Sequence, residues 1–184
     1  MYAKGQSRRL AYLVLAAGVT LAIVLVSTAY AVTKAKTFSS GDLNRPLPDN
    51  ALAVSKLNVK KQGKIKDVDV RVRADHAAPN DLVFALRSPK GKYVKLQDFD
   101  DATGPNIGTG PNSCDGTPYV FNDDAPTPFP GGVPAVGVFQ PQFPLSKLDG
   151  SLMKGRWELL VDDVNTGDAG TLGCWQLRIK YKPL

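Results

Sequence analysis

One histidine, two cysteines and a run of aspartates carry most of the chemistry this 184-residue chain can do. A Ser-His-Asp triad needs an imidazole base within reach of a serine. His76 is the sole candidate base, and no G-x-S-x-G elbow accompanies it. His76 also falls in phase with an apolar strand face, which favours a hydrogen-bonded strand-end histidine over a catalytic one. Sixteen of the seventeen carboxylates are Asp, Glu158 being the exception. Asp98, Asp100, Asp101 and Asn106 fall in one loop, and Asp123 and Asp124 in a second. Asp162, Asp163, Asn165 and Asp168 fall in a third. Calcium takes about six to eight oxygen ligands, and closely spaced Asp and Asn in loops supply them. The first two loops are therefore the expected calcium site. Turn capping, with the same side chains accepting from nearby backbone N–H groups, is the competing use.

The cysteines depend on where the chain goes. Met1 to Arg9 is basic, and Leu10 to Thr33 is 24 residues without a charge. Basic, then apolar, then small residues is the order of an export signal, and Ala29-Tyr30-Ala31 is an A-x-A cleavage site. Residues 1–31 are thus a signal peptide or a signal anchor. The apolar run is also long enough to cross a ~30 Å hydrocarbon layer as one helix, so residues 10–33 are the expected membrane contact if the signal is not cleaved. Ser7-Arg8-Arg9 is followed by residues that fit a twin-arginine signal poorly. Either way the remainder is exported, since the positive residues precede the span. In an oxidising space, Cys114 and Cys174 read as one disulfide closing 60 residues; a metal pair is the alternative, for which nearby histidines are wanting.

These groups need elements to position them, and the elements are strands. Glycine (17) and proline (14) punctuate the chain throughout, which suits turns between short strands rather than helices. Residues 32–49 read as a linker and entry segment to a domain over 50–184. Leu52 and Val54, then Leu57 and Val59, alternate. Val68, Val70, Val72, Ala74 and His76 share one face of a long strand, opposite Asp67, Asp69, Arg71, Arg73 and Asp75. Leu82, Phe84 and Leu86, then Trp157, Leu159 and Val161, then Leu172, Trp175, Leu177, Ile179 and Tyr181 mark further strands. Both tryptophans are expected in the core rather than on a sugar-stacking platform. The expected fold is all-β: a jelly-roll-type antiparallel β-sandwich, preceded by one N-terminal hydrophobic helix.

The net charge of +6 falls to +3 once Lys4, Arg8 and Arg9 are set aside, too mild for a nucleic-acid binder. Lys56, Lys60, Lys61, Lys64 and Lys66 with Arg71 and Arg73 form a basic stretch. It reads as a solvated face that protects a sheet edge, or as a patch for anionic envelope polymer or headgroups.

Several motifs occur in a fixed order: His76; Asp81-Leu82; Leu86-Arg87-Ser88-Pro89-Lys90-Gly91; Asp123-Asp124-Ala125; Gly155-Arg156-Trp157; Val161-Asp162; Gly167-Asp168; and Trp175-Gln176-Leu177. Together, over residues 38–181, they resemble the P domain (Homo B domain) of subtilisin-like proprotein convertases, here without the catalytic domain. Lys92 departs from the threonine often found after SP-x-G, which puts a turn hydrogen bond at issue. The resemblance implies a jelly-roll sandwich beside a serine-protease domain, modulating its folding and its calcium and pH response. The expected function is an exported, non-catalytic interaction or stabilising module, partnered by a protease domain or another exported protein. A carbohydrate- or cell-envelope-binding jelly roll is the alternative.

Overall fold

Two thirteen-residue strands, β4 (Lys64–His76) and β10 (Gly170–Lys182), pair antiparallel through the centre of the larger sheet. This computed structural model describes residues 32–99, 104–127 and 136–184. The expected N-terminal helix, the signal segment, Asp100 and Asp101 lie outside the described residues. No helix among the described residues is long and apolar enough to cross a membrane.

The alternation of β4 is realised as read. Val68, Val70, Val72, Ala74 and His76 are all buried. In β10, Trp175, Leu177 and Ile179 lie opposite Val72, Val70 and Val68. Leu172 and Trp175 are three apart, yet both are buried. A register shift between Leu172 and Cys174 inserts Gly173 as an extra residue and resets the phase. Only glycine fits there, because Asn112 occupies the space a Cβ would need.

Eight further strands complete two sheets among the described residues: β1 (Lys34–Ser39), β2 (Arg45–Leu47), β3 (Leu52–Val59), β5 (Leu82–Arg87), β6 (Tyr93–Gln97), β7 (Tyr119–Phe121), β8 (Gly137–Phe139) and β9 (Gly155–Asp163). One sheet runs β1-β10-β4-β7-β8, with β2 also on β10; the other runs β3-β9-β5-β6. Their inward faces share one core holding Trp157, Leu159, Phe84 and Leu86 from the smaller sheet and Val70, Phe121, Trp175 and Leu177 from the larger. The fold is therefore an all-β sandwich. One pair departs from the antiparallel expectation: β7 and β8 run parallel.

Three readings are corrected. The 32–49 segment is not merely a linker, because β1 and β2 lie within it and pair with β10. A strand at a sheet edge needs little apolar content, and lysines there are usual; Lys34 and Lys36 are exposed and Phe38 alone packs against the core. In β3 the phase belongs to Leu57 and Val59. That puts Ala53 and Ser55 inside, while Leu52 is 51% exposed. Ser55 is tolerated because its Oγ accepts from Trp175 Nε1 at 2.9 Å. Finally, Arg73 is not on a solvated face but only 3% exposed.

Both tryptophans have no exposed surface, and each indole N–H has a partner, Trp157 donating to the Met153 carbonyl (2.9 Å). The predicted disulfide is present. Cys114 and Cys174 are joined, Cα atoms 5.0 Å apart, tying the loop before β7 to β10 across 60 residues. Loop-closure entropy for that length is about 4 kcal/mol. The double substitution Cys114→Ser, Cys174→Ser is expected to lower unfolding stability by about that amount in urea titration; an unchanged midpoint would contradict the estimate.

Candidate functional site

His76 and Asp81 meet at one place and Ser88, Pro89 and Gly91 at another, and in both they fasten turns, while Trp157 and Trp175 lie in the core. At the first, the ends of β4 and β9 meet. His76 is 2% exposed and Asp163 likewise. His76 Nε2 lies 3.1 Å from Asp163 Oδ2, and Nδ1 lies against the Ala78 backbone, 2.9 Å from its oxygen and 3.2 Å from its nitrogen. The groups holding the ring are thus a carboxylate and backbone, not a hydroxyl or thiol, and no nucleophile–base pair is assembled there. Asp81 ends a 3₁₀ turn (Pro79–Asp81) and is 8% exposed. Its Oδ1 accepts from Asn165 Nδ2 at 2.7 Å and from Asn80 Nδ2 at 3.1 Å, and its carbonyl accepts from Val164 N–H. The Asp81-Leu82 motif therefore clamps the β4–β5 turn onto the β9–β10 turn. Gly167 N–H donates in turn to Asp49 at 3.1 Å, and Asp168 follows in the same turn. Asp162, one residue before Asp163, stands between Leu52 and Val83 on the outer face of its sheet.

The second place is the Ser88-Pro89-Lys90-Gly91 hairpin. Ser88 Oγ accepts from the Lys92 backbone N–H at 3.1 Å, and Gly91 takes a φ of 79°. Because the donor is backbone, the substitution of lysine for threonine at 92 leaves this bond intact. The Lys92 ammonium instead donates to the Lys147 carbonyl at 2.9 Å. Pro89 lies against Gly155, where a Cβ would meet its ring at 2.6 Å.

The calcium set is dispersed among other duties. Asp98 pairs with Lys95 Nζ (2.8 Å) and accepts from Gln142 Nε2 (3.2 Å). Asp123 accepts from Leu145 and Ser146 N–H, 2.8 Å each, at the start of a second 3₁₀ turn (Leu145–Leu148). Asn106 Oδ1 accepts from His76 N–H at 3.0 Å, and Asp124 is exposed. No group of three or more His, Cys, Asp or Glu able to hold a metal occurs among the described residues. Aspartates capping turns satisfy backbone donors locally, the competing use set out above.

Sequence reading missed two features. Glu158, 7% exposed on the outer face of the smaller sheet, is held by Arg87 Nε (2.6 Å) and by Arg156 (3.3 Å). Its neighbours across the strands are Lys56 and Arg87, so only the cross-strand pairing could have revealed it. The same face carries an aliphatic row, Val54–Leu160–Ala85, flanked by Leu52 and Val83. The other feature is buried Arg73. Its Nη1 donates to the Ala74 carbonyl (2.8 Å) and pairs with Asp75 (2.6 Å), and its Nη2 donates to the Gly110 carbonyl (2.7 Å).

This geometry is an all-β sandwich in which His76 and Asp81 hold turns. Its fold is shared with a chain in the crystal structure of the Aeromonas sobria serine protease (ASP) and chaperone (ORF2) complex, TM-score 0.51 at 16% identity, over 83% of this chain and 27% of that one. The structure of the serine protease of Aeromonas sobria aligns with TM-score 0.49 at 17% identity, over 82% and 27%, and that of FlhE with 0.47 at 14%, over 82% and 97%. The chain thus spans about a quarter of the length of the protease structures it matches. Among curated proteins nothing matches. Residues 129–179 match the family model described as the Proprotein convertase P-domain, the family that the ordered motifs resemble.

The Lys95 ammonium, by hydrogen bonding Asp98, holds that carboxyl below the usual carboxylate range; the Gln142 amide adds to this. A depressed folded-state pKa contributes stability above the unfolded value and loses it as pH falls through the folded value. Asp98→Asn is therefore expected to flatten the acid limb of Tm against pH while changing the neutral Tm little, because the pair is partly exposed. An acid limb identical to that of the parent would contradict the assignment.

Proposed function

We propose that this chain is an exported, non-catalytic P-domain-like module that binds and stabilises a subtilisin-like serine protease domain. The observation that carries the reading is the P-domain family match at residues 129–179, which lies on β8, β9 and most of β10. Support comes from the fold shared with a chain of a serine protease complex, of which a module this size forms about a quarter. A disulfide suits an oxidising compartment. Burial of both tryptophans counts against the alternative, a carbohydrate- or cell-envelope-binding module.

The contact surface we assign is the outer face of the smaller sheet. Val54, Leu160 and Val83 are only half-covered there, and the rim is ion-paired through Glu158. An aliphatic centre with a charge-paired rim is the composition of a protein–protein contact. Calcium dependence belongs to the same proposal only through the loops containing Asp98 and Asp123.

The test uses a subtilisin-like protease domain from the same organism, refolded with and without this chain. Its fluorogenic-peptide activity and thermal half-life are expected to rise with the chain present. Leu160→Asp is expected to abolish the rise while leaving the chain's own melting curve near that of the parent, since Leu160 points away from the core. No effect of the parent chain, or turnover by the chain alone that a serine-directed inhibitor blocks, would overturn the reading.

A further inference from the structure

The outward face of the larger sheet carries a polar cleft of about 280 Å³ beside the disulfide. Its floor is set by strand register. Arg71 and Arg73 of β4 lie opposite Gln176 and Cys174 of β10. Its wall is the segment before β7, including Ser113 and Cys114, which the disulfide anchors over the sheet. None of the residues lining it is acidic.

Arg73 is buried and Arg71 half-buried. Arg73 is 3% exposed, and its terminal nitrogens are spent on carbonyls and Asp75, as above. That leaves its Nε–H, buried and without a partner among the described residues; Arg71 Nε–H is in the same condition. A buried donor left unpaired costs free energy, more so on a charged group. The carboxylate next to Arg71 along the same strand face, Asp69, is engaged by Arg178 at 3.1 Å instead, and Asp75 meets Arg73 through Nη1, not Nε. Positions 71 and 73 project from one face about 7 Å apart, as alternate residues of a strand do. A group with several acceptor oxygens placed between them can accept from both. Guanidinium groups match such oxyanions in charge and in planar donor geometry.

We propose that this cleft is a binding site for a small oxyanion, a carboxylate, sulfate or phosphate group, held between Arg71 and Arg73. Ser113 and Gln176 line the same space and supply neutral polar contacts. The site is independent of the protease contact, which uses the opposite sheet. The cleft holds a compact group, so the anion is either a free ion or the charged end of a larger molecule.

Arginine Nε–H NMR signals and calorimetry on the exported domain, titrated with sodium sulfate, phosphate and acetate against sodium chloride at matched ionic strength, test it. Saturable binding of at least one oxyanion is expected, with the Nε–H signals of Arg71 and Arg73 shifting and chloride without effect. Arg71→Gln is expected to weaken binding by about tenfold or more, the loss of a charge-assisted hydrogen bond. Lys56→Gln, which removes the same charge from the other sheet, is expected to leave it unchanged. A peptide with a free C-terminal carboxylate, compared with its amide, separates the two sources: tighter binding of the free acid than of acetate indicates a carboxyl terminus, and equal or weaker binding a free ion. Absence of saturation for every anion, or equal weakening by Lys56→Gln, overturns the proposal. If Arg71→Gln does not fold, the Nε–H shifts of the parent protein decide alone.

Discussion

The antiparallel pairing of β4 with β10 is the interaction on which the rest of the structure rests. Every other strand of the larger sheet joins one of these two, directly or through β7. Their shared inner face supplies Val70, Val72, Trp175 and Leu177 to the core, all without exposed surface. Their ends supply His76 and Gly170, which face each other in register where the turns are clamped. Their outer face supplies both arginines and one half of the disulfide. A single pairing thus fixes the core, the clamped end and the cleft. Burial is the dominant favourable term, and the register tells each side chain which face it takes.

The polar groups follow from that arrangement. Long strands end in turns that carry unpaired backbone donors, and the aspartates satisfy them: Asp123 at a 3₁₀ start, Asp49 at Gly167, Asp42 at Cys114. Asp69 and Asp67 instead pair with Arg178 and Lys180 across the β4–β10 ladder. Burial pushes the Asp69 carboxyl above its ordinary range, opposed by the hydrogen bond from Arg178. Many of the described aspartates therefore serve turns and cross-strand pairs.

The sequence made the inner faces legible because period-two alternation survives wherever one face is buried. β4, β5, β9 and β10 were readable in this way, and His76 could be placed at a strand end from its phase alone. The disulfide was readable from cysteine count and export. β1 was not, because an edge strand with exposed lysines carries no alternation, and its pairing partner, β10, lies at the other end of the domain in sequence. In β3, Leu52 and Val54 mimicked a buried face; burial of Leu57 and Val59 sets the opposite phase, and the bond from Trp175 satisfies the Ser55 hydroxyl inside. Arg73 looked like part of a solvated row because its cover, the segment around Ile107 and Gly110, is remote in sequence and is pinned there by the disulfide.

Amide hydrogen exchange tests the central role of the β4–β10 pair most directly. Amides in the middle of both strands, Val70–Ala74 and Leu177–Ile179, are predicted to exchange slowest and only through global unfolding, with β1 opening at lower cost. Exchange of those amides as fast as that of β1, or faster than that of β9, would contradict the account.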